Sequence, residues 1–156
     1  MSTPIPHPAV EAAVSVPDQT PRRIHPEPGV EAATFDISGP LPRGTTMLEA
    51  SAGTGKTWTI AALVTRYVAE GVPLDAQLVV TFGRAASQEL RERVRDRLTS
   101  TERFLSDPVA RREPKGRLQK ALVADASDAE LDLRHRRVRD ALGAFDNATI
   151  ATIHQF

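Results

Sequence analysis

Nine residues constrain this chain more than any others: Glu49-Ala-Ser-Ala-Gly-Thr-Gly-Lys-Thr57, with Met47-Leu48 before them and Trp58-Thr-Ile-Ala-Ala-Leu-Val64 after. The pattern reads as a strand, a tight glycine-bearing loop and an amphipathic helix, which is the setting a phosphate-binding loop requires. Gly53 and Gly55 carry no Cβ, so the backbone can curl until successive N–H groups point into one concavity. A helix starting near Lys56 adds the partial positive charge of its N-terminus. Lys56 then stands as a point charge for the β/γ oxygens of a triphosphate, and the Thr57 hydroxyl as a ligand for Mg²⁺. Ala50 occupies the place of the usual first glycine.

Composition narrows the alternatives. Lys plus Arg and Asp plus Glu balance at 20 each, so any nucleic-acid patch must be local. The absence of cysteine removes disulfides, thiolate metal sites and cysteine nucleophiles together. No apolar run approaches the ~20 residues of a membrane span, and the N-terminus lacks a charged-then-apolar leader pattern. The expectation is a cytoplasmic protein with no membrane segment. At 156 residues, length alone suggests one domain.

Nine of the twelve prolines fall in the first 42 residues. Residues 1–34 are therefore expected to be a disordered Pro-rich tail, since such a stretch buries too little to offset its ordering entropy. Pro8-Ala-Val-Glu-Ala-Ala13 recurs as Pro28-Gly-Val-Glu-Ala-Ala33, a local duplication too short for a solenoid. A lead-in turns at Gly39-Pro40 and near Arg43-Gly44, and a first strand is expected over Thr45 to Ala50. The helix from about Lys56 to Glu70 should bury Ile60, Leu63, Val64, Tyr67 and Val68, and Gly71 with Pro73 should close it. Trp58 is expected in the core or an interface, with base stacking as the alternative.

Gln77-Leu-Val-Val-Thr-Phe82 reads as a second strand, apolar enough to be buried on both faces. With the first strand and helix it makes one βαβ unit, so the fold class is α/β with a parallel sheet. A helix from Arg84 through about Leu98 presents Leu90, Val94 and Leu98 on one face. Arg91, Arg93, Arg95 and Arg97, interleaved with acids, read as a solvated face with i,i+4 pairs. A connector over 106–126 carries a short helix near Arg117 to Ala124. Ser127 and Glu130 form a capping-box signature for a helix to about Leu142, with Leu131, Val138 and Leu142 inward and His135 exposed. Ala148 to Ile153 reads as a third strand.

Three separated blocks resemble motifs of the UvrD-like superfamily I DNA helicases. They are Ala50-Ser-Ala-Gly-Thr-Gly-Lys-Thr57, Val79-Val-Thr-Phe82 with Ala85-Ala86 and Glu89-Leu-Arg-Glu-Arg93, and Ala151-Thr-Ile-His-Gln-Phe156. The string from Leu48 to Ala62 looks most like the RecB-type branch, with the AddA-type branch as its near neighbour. The resemblance covers roughly Phe35 to Phe156. It implies a P-loop NTPase (RecA-like) parallel sheet with flanking helices, part of a motor that uses ATP and Mg²⁺ to move 3′ to 5′ on single-stranded DNA. Such motors process double-stranded DNA ends for break repair and recombination, and the implied partners are RecC- and RecD-like subunits.

Carried over residue by residue, Ala50, Ser51, Ala52, Gly53, Thr54, Gly55, Lys56 and Thr57 would take the nucleotide, with Lys56 and Thr57 catalytic and Thr57 on the metal. Thr81, Phe82, Arg84, Thr152 and His154 would meet the DNA backbone. Ligands gather at the carboxyl ends of parallel strands, which gives that placement a physical basis of its own. Gly83-Arg84 departs from the family's usual continuation after Thr-Phe. Arg43 stands where a glutamine often reads adenine, and no Gln lies between Gln19 and Gln77.

A working ATPase also needs an acidic pair at the end of an apolar strand. No apolar strand of this sequence ends in one, and no second motor domain is apparent. The expectation is that residues 35–156 form the N-terminal part of a UvrD-like ATP-binding domain, an incomplete first motor domain. The alternative is a non-catalytic truncated fragment that binds nucleotide weakly or is only a remnant.

Overall fold

Small side chains set how the first helix packs. In the computed structural model, which describes residues 33–51 and 53–155, α1 spans Lys56–Glu70 and buries Ala61, Ala62, Val64, Thr65, Val68 and Ala69. The face is rotated from the expected one: Val64 and Val68 are inward, but Ile60 is exposed and Leu63 and Tyr67 are only half-buried. Three alanines let the neighbouring helices approach closely, and the larger residues are displaced to the flanks. Thr65 joins that stripe because its hydroxyl donates to the Ala61 carbonyl at 2.9 Å.

The helix ends where expected. Gly71 adopts φ 111°, and the amides of Gly71 and Val72 donate back to the Val68 and Tyr67 carbonyls. A Cβ at Gly71 would lie 3.1 Å from the Arg137 guanidinium, so a larger residue would have to displace that side chain as well as adopt a φ that favours glycine. Arg137 itself donates to the Ala69 carbonyl at 3.0 Å and complements the negative end of the helix. At the other flank the lead-in is fastened to α1. Arg66 donates to the Ile37 and Gly39 carbonyls, and the Tyr67 hydroxyl donates to the Pro42 carbonyl. The amide and hydroxyl of Ser38 both donate to the Asp36 carboxylate, which holds its pKa below the usual carboxylate range.

After a short 3₁₀ turn at Leu74–Ala76 come β1 (Leu78–Thr81) and the long α2 (Arg84–Ser106). Then follow α3 (Pro108–Arg112), α4 (Arg117–Val123), α5 (Asp128–Gly143), a 3₁₀ turn at Phe145–Asn147, β2 (Thr149–Thr152) and a last 3₁₀ turn at Ile153–Gln155. Asp107 caps α3 and Ser127 caps α5, each by accepting from a backbone amide two or three residues on. Helices α1, α2 and α5 pack against one another around Val94, Leu98, Leu105, Leu122 and Val138, all essentially solvent-free. Leu90, Val94 and Leu98 are inward as expected, whereas Ala141 takes the buried place expected of Leu142. His135 is not a free surface residue: its Nε2 lies 2.7 Å from Glu102 Oε1 and ties α5 to α2.

The sheet is parallel, as expected, but smaller. β1 pairs with β2 in the register Leu78↔Thr149 through Thr81↔Thr152. Val79 and Ile150 pack toward α2 and the core, while Leu78 and Val80 are 50% and 42% exposed on the other face. The second expected strand is therefore covered on one face only. The first expected strand, Thr45 to Ala50, joins no ladder; every residue in it is exposed. A strand needs a hydrogen-bonding neighbour and a surface for its alternate side chains, and among the described residues Thr45 to Ala50 has neither. The tail expected over residues 1–34 falls almost wholly outside the described residues. Among the described residues no helix is long and apolar enough to cross a membrane.

Candidate functional site

The loop before α1 carries the geometry an anion needs. Gly53 has φ 79° and Gly55 has φ 89°, both left-handed. Thr54 closes the turn between them by donating its hydroxyl (2.6 Å) and its amide (3.3 Å) to the Ser51 carbonyl. Gly55 is the N-cap of α1, and its carbonyl accepts from the Thr59 amide at 2.8 Å and the Thr59 hydroxyl at 3.0 Å. Among the described residues no side chain caps the first turn, no acidic residue lies in it, and its N–H groups face outward without a protein acceptor. Lys56 is exposed at the first helical position, and Thr57 follows half-buried. An open depression of about 710 Å³ lies over this end, lined by Leu48, Glu49, Ala50, Ser51 and Lys56. Ala52, also expected in the loop, lies outside the described residues.

Trp58 sits in that same first turn and is partly exposed. The Arg97 guanidinium stacks on its ring, 5.1 Å from the centroid. Burial lowers the Arg97 pKa, although an arginine stays charged under any ordinary condition.

The residues expected to meet nucleic acid come together through the register. Thr81 and Thr152 are paired at the carboxyl ends of β1 and β2. Phe82 and Arg84 continue from one strand end, and His154 from the other. Phe82 is 89% exposed, and Arg84 and His154 are exposed. Thr81 donates its hydroxyl to the Gly83 carbonyl at 3.1 Å. Thr152 differs from the rest: it is 3% exposed, and both its amide and hydroxyl donate to Gln155 Oε1 at 3.1 Å. Its hydroxyl holds the terminal 3₁₀ turn, and the exposed group of that turn is His154.

Three residues gain roles that the sequence pattern does not give them. Gln155 has a signal only in hindsight, as an amide three positions after a strand-ending threonine. The pattern assigns Arg91 and Arg95 to a solvated face, yet both guanidinium groups stack on Phe145, 5.3 and 5.2 Å from its centroid. Arg91 also donates to the carbonyls of Ala148 (3.1 Å), Phe145 (3.4 Å) and Asp146 (3.4 Å), pinning the approach to β2 onto α2. Of the expected i,i+4 pairs on that face, Arg93 with Glu89 at 3.8 Å is present.

The profile of the UvrD/REP helicase N-terminal domain matches residues 34–156. The RecBCD enzyme subunit RecB of Mycolicibacterium smegmatis is 56% identical over 125 residues, 78% of this chain and 11% of that protein. The protein of the same name from Mycobacterium tuberculosis is 52% identical over 125 residues, with the same shares of the two chains. Its namesake from Chlamydia pneumoniae is 36% identical over 126 residues, again 78% of this chain and 11% of the relative. The chain thus spans about a ninth of the length of the RecB relatives it matches.

Proposed function

We propose, since this chain belongs to the UvrD/REP helicase family, that it is the nucleotide-binding portion of an ATP-dependent DNA motor of the RecB type. The motor would move 3′ to 5′ on single-stranded DNA, act in double-strand break repair and recombination, and assemble with RecC- and RecD-like subunits. The observation that carries the reading is the pair of left-handed glycines leading into an uncapped helix start at Lys56. That donor set fits a polyphosphate: outward amides, a helix N-terminus, an exposed ammonium and no carboxylate in the first turn. Glu49 on the rim of the depression is the one acidic side chain lining it among the described residues.

Lys56 would hold the terminal phosphates, and the Thr57 hydroxyl would hold Mg²⁺. When bound, Mg·ATP supplies the phosphoryl group whose hydrolysis drives movement. This chain's own part is positioning: the loop amides fix the phosphates, and α1 carries their placement into the α1–α2–α5 core. At the strand ends, Phe82 offers a face for a base, and Arg84 and His154 offer sequence-independent contacts to phosphate.

Lys56→Ala is the test. Binding of a fluorescent ATP analogue should fall at least tenfold while the far-ultraviolet circular dichroism stays that of the parent. Equal affinity in the two proteins would sink the assignment. A second reading, binding without turnover by these residues alone, is favoured by the strand ends. Neither β1 nor β2 is followed by an acidic residue, so neither strand end supplies a carboxylate to orient an attacking water.

A further inference from the structure

We infer that Arg97 is a positioning residue for the nucleotide loop, holding the first turn of α1 in place through the face of the Trp58 ring. The inference rests on the nucleotide-binding reading above and adds a residue on a different helix to it.

The loop is weakly held by its own contacts. Thr54 bonds only to Ser51, Gly55 has no capping side chain, and Lys56 and Thr57 make no side-chain hydrogen bond to another element among the described residues. Trp58 is the exception. A Cβ placed on Gly55 would lie 3.9 Å from the Trp58 Cβ, so the indole is rooted beside the left-handed residue that ends the loop. Its ring meets the Arg97 guanidinium at 5.1 Å.

Arg97 is well placed to serve as an anchor. It precedes Leu98 and follows Val94 by three positions on α2, and both of those are solvent-free, so its backbone is fixed by the core. Among the described residues it has no carboxylate within ion-pair distance, whereas Arg93 on the same helix pairs with Glu89. A guanidinium without a counter-ion and partly removed from water is the kind that gains most from an aromatic face, and tryptophan is the best such face. A planar guanidinium can lie flat on the indole; a lysine ammonium is more strongly hydrated and does not stack.

Trp58 is the sole tryptophan, so its emission reports on this contact directly. Parent, Lys56→Ala, Arg97→Gln, Arg97→Lys, Trp58→Phe and the Trp58→Phe/Arg97→Gln double variant would be titrated with a fluorescent ATP analogue, with melting followed by circular dichroism. Arg95→Gln, which removes an equivalent ring contact on the same helix at Phe145, serves as the control. Arg97→Gln should weaken binding about two- to thirtyfold, as expected for loss of one partly desolvated cation–π contact. Arg97→Lys should fall between it and the parent, Arg95→Gln should bind as the parent, and the double variant should bind no worse than Arg97→Gln.

Parental affinity in Arg97→Gln, or additive losses in the double variant, would overturn the inference, as would an equal loss in Arg95→Gln. If the parent binds no better than Lys56→Ala, the nucleotide reading fails and the emission of the nucleotide-free proteins decides the contact itself. A red-shifted, more acrylamide-accessible Trp58 in Arg97→Gln supports it, and an unchanged one overturns it. Should Arg97→Gln not fold, Arg97→Lys carries the same comparisons, and a parental Arg97→Lys overturns the inference.

Discussion

Replacing Gly55 by alanine, asparagine and valine separates the cost of the loop's backbone from its use. Gly55 sits at φ 89° and ψ 29°, where an L-residue loses about 1–2 kcal/mol relative to its preferred conformation. A methyl group there would find its nearest neighbour, the Trp58 Cβ, at 3.9 Å, which is ordinary contact, so sterics add nothing. Alanine also restricts the unfolded chain, which returns about 0.4–1 kcal/mol. The net expected loss for Gly55→Ala is about 1 kcal/mol, or a melting temperature lower by about 3–6 °C for a unit of this size. Asparagine tolerates the left-handed region better and should cost less, whereas β-branched valine should cost more. Urea denaturation followed by circular dichroism would give the order Gly, Asn, Ala, Val with an unchanged m-value. Affinity for an ATP analogue should fall at least tenfold in Ala and Val, because any relaxation of φ turns the loop amides out of register. An alanine variant as stable as the parent, or valine no worse than alanine, would refute the reasoning.

Four other outcomes are expected. Arg91→Met should lose about 2 kcal/mol in urea denaturation, from charged hydrogen bonds to the carbonyls before β2 and the stack on Phe145. Phe82→Ala and His154→Ala should weaken binding of single strands of any sequence with nucleotide affinity intact. Thr152→Ala should instead lower stability by about 1 kcal/mol, since it removes the hydroxyl donor to Gln155 and leaves only the amide. The purified 156-residue chain should release no phosphate above its Lys56→Ala variant; Lys56-dependent, DNA-stimulated release would show that other groups supply the missing acid.

What was legible in the sequence was whatever depends on local chemistry. Gly71 and Pro73 mark the end of α1, Ser127 marks the start of α5, and the i, i+4, i+8 leucine–valine–leucine stripe of α2 marks its buried face. Glycines flanking Thr54 announce a left-handed loop for the same reason. Less legible was anything decided by a neighbour. The face of α1 turned because alanines permit close packing, a preference that periodicity counts as neutral. Thr45 to Ala50 has strand composition but no ladder partner, and composition cannot supply one. The arginines of α2 look interchangeable in sequence. Phe145, Trp58 and three carbonyls before β2 distinguish Arg91, Arg95 and Arg97 only after the chain has folded.

The pairing of Leu78 with Thr149 has a kinetic consequence. Four helices, α2 to α5, intervene between the two strands, so the sheet is a contact of long sequence separation. Closing such a loop costs entropy that the ladder, only four residues long, recovers late. The α1–α2 and α2–α5 pairs, whose contacts are nearer in sequence, should assemble first, and β1–β2 zip up on their surface afterwards. In native-state hydrogen exchange, amides of Leu78–Thr81 and Thr149–Thr152 should then open at lower free energy than those at the centre of α2. Phe82, Arg84 and His154 stand at the end of that late ladder, so the edge proposed to hold a moving strand of DNA should yield before the helical core does.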